Sequence, residues 1–247
     1  MLIDLCFPVK DEEIILEENS LKLYNYLSSQ TSDFNWRIVI IVNGSTDNTF
    51  KIASDLESRY SQFFKVKNIE AGGKGLALKT YFNESDADIL LFMDIDLAVS
   101  LENLPGLINP LLNNEADMVI GSRLLPDSKT TRSKLRDFTS RHYNQFSNSL
   151  FKHGLTDLQC GFKAFKKELY HDIKHLLKDD KWFFDAEFVI LSKYFDYKVK
   201  EIPVDWQENR FQYRKSKVKN IEAYRFIKKL FEFRKYLKTI EKKKIVK

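Results

Sequence analysis

Cysteine is scarce in this chain: Cys6 and Cys160 are the two in 247 residues. Two thiols make neither a disulfide framework nor a thiolate zinc site, and a reducing cytoplasm is the expected compartment. No apolar run approaches the roughly eighteen residues that a spanning helix needs. The opening residues, Met1 to Pro8, lack a basic region and are too short for a signal peptide, so a first strand is expected there. Glycine (8) and proline (5) are few, and no repeat or low-complexity segment is present, which excludes fibrous and linker-rich classes. What remains is 43% hydrophobic and 30% charged, enough for a sizeable core. Acid is missing from one end. From Arg210 onward there are fifteen basic residues against three acids, a charge of +12, so the chain's net +5 leaves −7 on residues 1–209. An acidic body with a basic tail points the tail toward an anionic partner.

The first half alternates short β-branched runs with helical patterns. Strands are expected at 2–7, 37–42, 63–69, 89–93 and 117–121, and helices at 12–28, 47–60, 75–83 and 101–112. This rhythm implies an α/β fold with a mainly parallel sheet and helices on both faces. Residues 126–141 read as a polar, basic loop leading into an amphipathic helix at 138–151. A helix at 182–195 and a strand at 198–204 follow. The expected division is a catalytic domain at 1–217 and a basic amphipathic tail at 218–247. In the tail, Ile227, Leu230, Phe231 and Ile240 recur at roughly helical spacing.

The densest chemical signal is Ile89-Leu90-Leu91-Phe92-Met93-Asp94-Ile95-Asp96. A buried strand ending in carboxylates at i and i+2 would project both to one side. That is the edge where open α/β sheets bind ligands. A hard divalent cation, Mg²⁺ or Mn²⁺, would relieve the repulsion and complete its shell with phosphate oxygens. The alternative is a strand followed by an acidic turn. Asn43-Gly44-Ser45-Thr46-Asp47-Asn48-Thr49 reads as a tight turn into a helix capped by Ser45 or Asp47, a nucleotide-binding edge or a mere capped turn. Gly72-Gly73-Lys74-Gly75 would let backbone approach a ligand, with Lys74 as a point charge for phosphate. It lacks Walker A spacing.

Taken in order, these pieces resemble the family 2 glycosyltransferases of the GT-A fold. Pro8-Val9-Lys10-Asp11-Glu12, Asn43 to Thr49, Gly73-Lys74-Gly75 and Asp94-Ile95-Asp96 carry the first half of the resemblance. Gly121-Ser122-Arg123, the series Arg132, Arg136 and Arg141, Asp157 to Lys163, Phe184-Asp185-Ala186-Glu187 and Glu201 to Trp206 are similar to the polyprenyl-phosphate hexosyltransferases. That group includes dolichyl-phosphate mannose synthases and glucosyltransferases, and the Asp94 and Asp157 motifs stand closer to the glucosyltransferase branch. Val42 occupies a place where the family often has an acid or amide.

The resemblance implies an inverting, metal-dependent hexosyltransferase. It would move a sugar from UDP-glucose or GDP-mannose to a polyprenyl or dolichyl phosphate. It implies that Pro8, Lys10, Glu12, Asn43, Ser45, Asp47, Lys74, Asp94, Asp96 and Gln159 face the nucleotide-sugar. Asp94 and Asp96 would hold the metal, with Asp96, Asp157 and Arg123 catalytic. Guanidinium forks pair bidentately with phosphate, and Arg123, Arg132, Arg136, Arg141, Arg210 and Lys217 are the acceptor-phosphate candidates, their alternative being a solvated basic loop. Asp157 would orient the acceptor, contact sugar hydroxyls or act as base, or else cap a helix over 158–165. The expected partners are the donor, the lipid phosphate and an anionic membrane surface on the cytoplasmic face, with no nucleic acid. A glycan or glycolipid acceptor, or a non-catalytic scaffold, is the competing reading.

Overall fold

A computed structural model describes residues 1–31, 33–131, 133–207 and 220–240. Its centre is a seven-stranded sheet of β1 (Leu2–Val9), β2 (Asn35–Asn43), β3 (Phe64–Ile69), β4 (Ile89–Met93), β5 (Met118–Ser122), β7 (Phe162–Lys166) and β8 (Val199–Pro203). The spatial order is β3-β2-β1-β4-β7-β5-β8. All pairs are parallel except those of β7, which runs antiparallel between β4 and β5. A separate ribbon pairs β6 (Lys129–Thr131) with β9 (Asp205–Gln207).

Side chains alternate across each strand, so one apolar run feeds two cores. Leu90 and Phe92 face α3 (Lys74–Glu84), α6 (Lys167–Ile173) and α7 (Phe184–Tyr194). Leu91 and Met93 face α1 (Leu16–Ser29), α2 (Thr49–Arg59) and α4 (Leu104–Leu112). Burial on both faces is why these strands read as unbroken apolar runs. The expected strands and helices of the first half stand within three or four residues of their observed bounds.

Three expectations change. Residues 158–165 do not form a helix; they lead into β7, whose Phe162, Ala164 and Phe165 are buried in the sheet. The expected basic loop is helical from Lys134 onward, because Ser133 caps α5 (Lys134–Phe151) by accepting the Arg136 amide. The tail stripe also differs. In α8 (Asn220–Thr239), Leu230, Phe233 and Leu237 are buried against the core, whereas Ile227 and Phe231 are exposed. Residues 241–247 lie outside the described residues, and no helix among the described residues is long and apolar enough to cross a membrane.

Candidate active site

The loops after β1, β2, β3, β4 and β5 gather at one edge of the sheet. The loop before β7 joins them, because β7 runs antiparallel with Phe162 opposite Met93. The strand order reverses between β1 and β4, the usual place for a ligand crevice.

The loops after β1 and β2 are knotted together. Ser45 Oγ accepts the Asp11 amide at 3.1 Å, and the Thr49 hydroxyl accepts the Glu12 amide at 2.8 Å. Asp47 accepts the Glu13 amide at 3.2 Å and, through its other oxygen, the amide and hydroxyl of Thr49. Burial would raise the Asp47 pKa, but these donors lower it below the usual range. Ser45 and Asp47 thus fasten these loops to one another, and Asp47 holds the first turn of α2. Asn43 also ties loops together. Its amide nitrogen donates to the Val9 carbonyl at 2.8 Å and its oxygen accepts the Gly73 amide at 3.0 Å. The Asn43 side chain thus clamps three loops at the edge where a nucleoside is expected. Glu12 is half-buried, Pro8 is half-buried one residue before the buried end of β1 at Val9, and the ammonium of exposed Lys10 lies beside Gly72.

The glycine-rich turn approaches its own chain closely. A Cβ on Gly75 would stand 2.6 Å from the Asp179 carbonyl and 2.8 Å from Phe184 Cβ. The carbonyls of Asp180 and Lys181 accept the Leu76 and Gly75 amides, so backbone from 180–181 caps α3. Lys74, on the first turn of α3, is buried. Its Nζ stands 3.3 Å from Asp94 and 3.1 Å from Asp185, under the rings of Phe92 and exposed Trp182. Burial alone would lower its pKa; Asp185 and Asp94 outweigh that and raise it. The expected free phosphate charge is a cation already placed between two acids. Lys163 is fully buried and pairs with Asp185 at 3.0 Å and with the Cys160 carbonyl.

Asp94 and Asp96 do not extend a strand. β4 ends at Met93, and 94–97 form a turn closed by the Leu97 amide on the Asp94 carbonyl, with Leu97 at φ +48°. The same-side argument therefore stops at Met93. The Asp94 side chain is about one-third exposed, at 32%, while Asp96 is buried and accepts the Ala98 amide at 3.3 Å. The Asp94 carboxylate fits because Gly161 carries no Cβ to strike it.

Arg123 follows β5 and is paired with Asp157. Its Nε and Nη2 donate to Asp157 at 2.7 and 2.9 Å, and its amide adds a third bond at 3.1 Å. Asp157 is fully buried. Burial would raise its pKa, but Arg123 overrides this and holds the carboxyl at about 2. Glu201 fixes the turn by accepting the amides of Thr156 and Asp157 and the Thr156 hydroxyl. Gln159, half-buried, donates its amide to Asp157. Burial pushes the Cys160 thiol up to about 12, which suits a packing residue. Arg136 and Arg141 lie on α5, where Arg141 pairs with Asp137 at 2.7 Å. Arg132, Arg210 and Lys217 lie outside the described residues.

Sequence reasoning assigned no role to Asp185 and Lys163. The signal was present: Lys163 interrupts the apolar run Phe162 to Phe165, and Asp185 with Glu187 stands inside Phe183 to Leu191. A lone charge in an element apolar on all sides must be paired.

The chain belongs to the glycosyl transferase family 2, whose model matches residues 5–174. Its fold is GT-A, seen in a crystal structure of glucosyl-3-phosphoglycerate synthase from Mycobacterium tuberculosis with Mn²⁺, UDP and phosphoglyceric acid. That likeness has a TM-score of 0.68 at 16% identity and covers 94% of this chain and 78% of the other. Among curated relatives, the dolichyl-phosphate beta-glucosyltransferase of Dictyostelium discoideum is 30% identical over 81% of this chain and 65% of its own length. Glycosyltransferase AglD of Haloferax volcanii is 28% identical over 83% of this chain and 33% of its own. The chain thus spans between a third and two thirds of these relatives.

A divalent cation fits the donor set at this edge. Among the described residues no group of three or more His, Cys, Asp or Glu gathers to cage a metal. The protein would offer the carboxylates of Asp94 and Asp96, and Mg²⁺ or Mn²⁺ bound by one or two carboxylates takes its other oxygens from phosphate and water.

Proposed function

We propose that the chain is an inverting hexosyltransferase that moves glucose from UDP-glucose to a polyprenyl or dolichyl phosphate. The observation that carries the choice of acceptor is the Arg123–Asp157 pair. A hydroxyl acceptor needs a base with a pKa near working pH. Asp157, the family's ambiguous acid, is held at about 2 by the guanidinium. Glu201 is committed to the 156–157 turn, and Asp185 to two lysines. A phosphate monoester is already ionised at neutral pH and attacks without such a base. Positioning and electrostatics then supply the rate.

In this reading Asp94 and Asp96 hold Mg²⁺ or Mn²⁺, which supplies Lewis-acid stabilisation of the departing diphosphate. Lys74 keeps a fixed positive charge beside Asp94, and Trp182 covers it from solvent. Lys10 and Glu12 line the nucleoside side. Arg136 and Arg141 present guanidinium groups from α5 toward the acceptor. The catalytic domain ends near residue 217, and the exposed face of α8 meets an anionic, cytoplasm-facing membrane surface. The choice of glucose is supported by the curated relatives' name and by the UDP held in the solved neighbour.

The test is transfer from radiolabelled UDP-glucose and GDP-mannose to dolichyl phosphate, dolichol and a soluble glycan, with Mn²⁺ or with chelator. Transfer from UDP-glucose to the phosphate alone is expected. Turnover on dolichol or the glycan overturns the acceptor assignment, and preference for GDP-mannose overturns the donor.

A further inference from the structure

Four charges alternate in sign from the mouth of the site inward: Asp94, Lys74, Asp185 and Lys163. The side chain of Asp94 is 32% exposed, while those of Lys74, Asp185 and Lys163 are 7%, 4% and 0%. Asp185 sits on the first turn of α7 with one oxygen 3.1 Å from Lys74 and the other 3.0 Å from Lys163. Lys163 also donates to the Cys160 carbonyl. Two acids and two bases balance, in surroundings where water screens little.

The balance bears on Asp94. A lysine with a single acidic partner would turn its whole charge onto that carboxylate and compete with any cation there. Lys74 instead divides between two acids, and the inner one is the nearer. We infer that Asp185 is a positioning residue: it draws the Lys74 ammonium inward, so that Asp94 keeps enough negative charge to bind a divalent cation while Lys74 stays alongside. The inference rests on placing the metal at Asp94 and Asp96.

The experiment titrates Mn²⁺ alone, followed by water-proton relaxation, on the full chain and its variants. Asp185→Asn is expected to weaken Mn²⁺ binding about ten-fold, equivalent to ~1.4 kcal/mol. Adding Lys74→Met to Asp185→Asn is expected to restore the affinity, because the competing charge is gone. Unchanged Mn²⁺ affinity in folded Asp185→Asn overturns the inference. So does a loss that Lys74→Met leaves in place, since Asp185 would then act only through the fold. If Asp185→Asn does not fold, Asp185→Asn/Lys163→Met removes one charge of each sign and is compared with and without Lys74→Met. Asp94→Asn distinguishes the two levels: if it leaves Mn²⁺ binding intact, the metal assignment itself fails. If it abolishes binding while Asp185→Asn has no effect, the metal assignment stands and the role of Asp185 falls.

Discussion

The two ends of the central sheet carry buried charge in opposite ways. At the start of β1, Asp4 is fully buried and closed off. Arg37 donates to both its oxygens at 2.8 and 3.0 Å, Tyr81 and Ser85 each add a bond at 2.6 Å, and Arg37 reaches on to Asp86. At the other end the row from Lys163 to Asp94 opens outward, and its last carboxylate meets solvent. A buried charge whose partners are all internal fixes the fold and has nothing left for a ligand. A row that ends at the surface leaves its last carboxylate within reach of a ligand. The contrast separates stability from function along the same strands.

The largest effects should come from breaking one end at a time. Asp96→Ala is expected to cut transfer by about 10²–10³, the usual loss of one electrostatic stabiliser, with the melting temperature little changed. Asp4→Ala is expected to do the reverse. Removing one partner of a buried pair costs about 3–5 kcal/mol and leaves Arg37 with Asp86 alone, while turnover per folded molecule persists. Urea unfolding and initial rates on both variants check this. Equal stability loss in the two would erase the distinction.

Arg123 sharpens the comparison, because it stands at the open end yet is bonded like the closed one. Arg123→Met leaves Asp157 buried and unpaired, so stability and kcat should fall together. Arg136→Ala should raise KM for the lipid phosphate about ten-fold with the donor KM unchanged, the loss of ~1.4 kcal/mol of acceptor binding. Equal effects on both KM values would move Arg136 to the donor side.

A third region responds to pH. His153 is buried. Its Nδ1 accepts the Leu155 amide at 3.0 Å and its Nε2 meets Ser147 at 3.3 Å. Burial, with Lys193 nearby, lowers its pKa from 6.5 to about 4. The unfolded chain therefore binds the proton first as pH falls. The stabilising term is complete above pH 6.5 and is lost progressively down to about 4. His153→Gln should flatten stability across that window, and an unchanged slope in urea midpoints would reject the assignment. Asp157 acts lower, between its ordinary carboxylate range and about 2, also losing stability as pH falls.

The sheet and both helical layers were legible in the sequence, because burial on both faces leaves a local apolar pattern at Arg37 to Val42 and Ile89 to Met93. β7 was not, since its partners β4 and β5 are set by a long-range reversal that no local period records. At the site, the sequence located the motifs but not the bonds their side chains make with the rest of the chain. Asn43, Ser45 and Asp47 are the residue types that bind ligands, and they are equally the types that fasten loops. Nothing local tells whether such a side chain will meet a nucleotide or the next loop. The ion pairs of Arg123 and Lys74 were not legible for a related reason: their partners, Asp157 and Asp185, lie 34 and 111 positions away.

Helix α8 divides the tail's apolar residues between two surfaces, and the smallest expected effect belongs to the outer one. Leu230, Phe233 and Leu237 face the core, and Phe233 packs against the rings of Phe151 and Phe183. Leu230→Ala should therefore cost about 2–5 kcal/mol of stability. Ile227 and Phe231 are 41% and 47% exposed, and Leu135 and Phe138 of α5 are exposed at 70% and 58%. Phe146 and Phe231 are in contact, so the two helices stand side by side. Basic residues near such a face add about 1 kcal/mol each toward anionic lipid, screened by salt. Ile227→Ser/Phe231→Ser should thus leave the melting temperature unchanged and weaken sedimentation with anionic liposomes at low salt. Activity on a short-chain acceptor in solution should persist. Liposome binding that is unchanged in this pair, or absent at every ionic strength, would return α8 to a purely structural role.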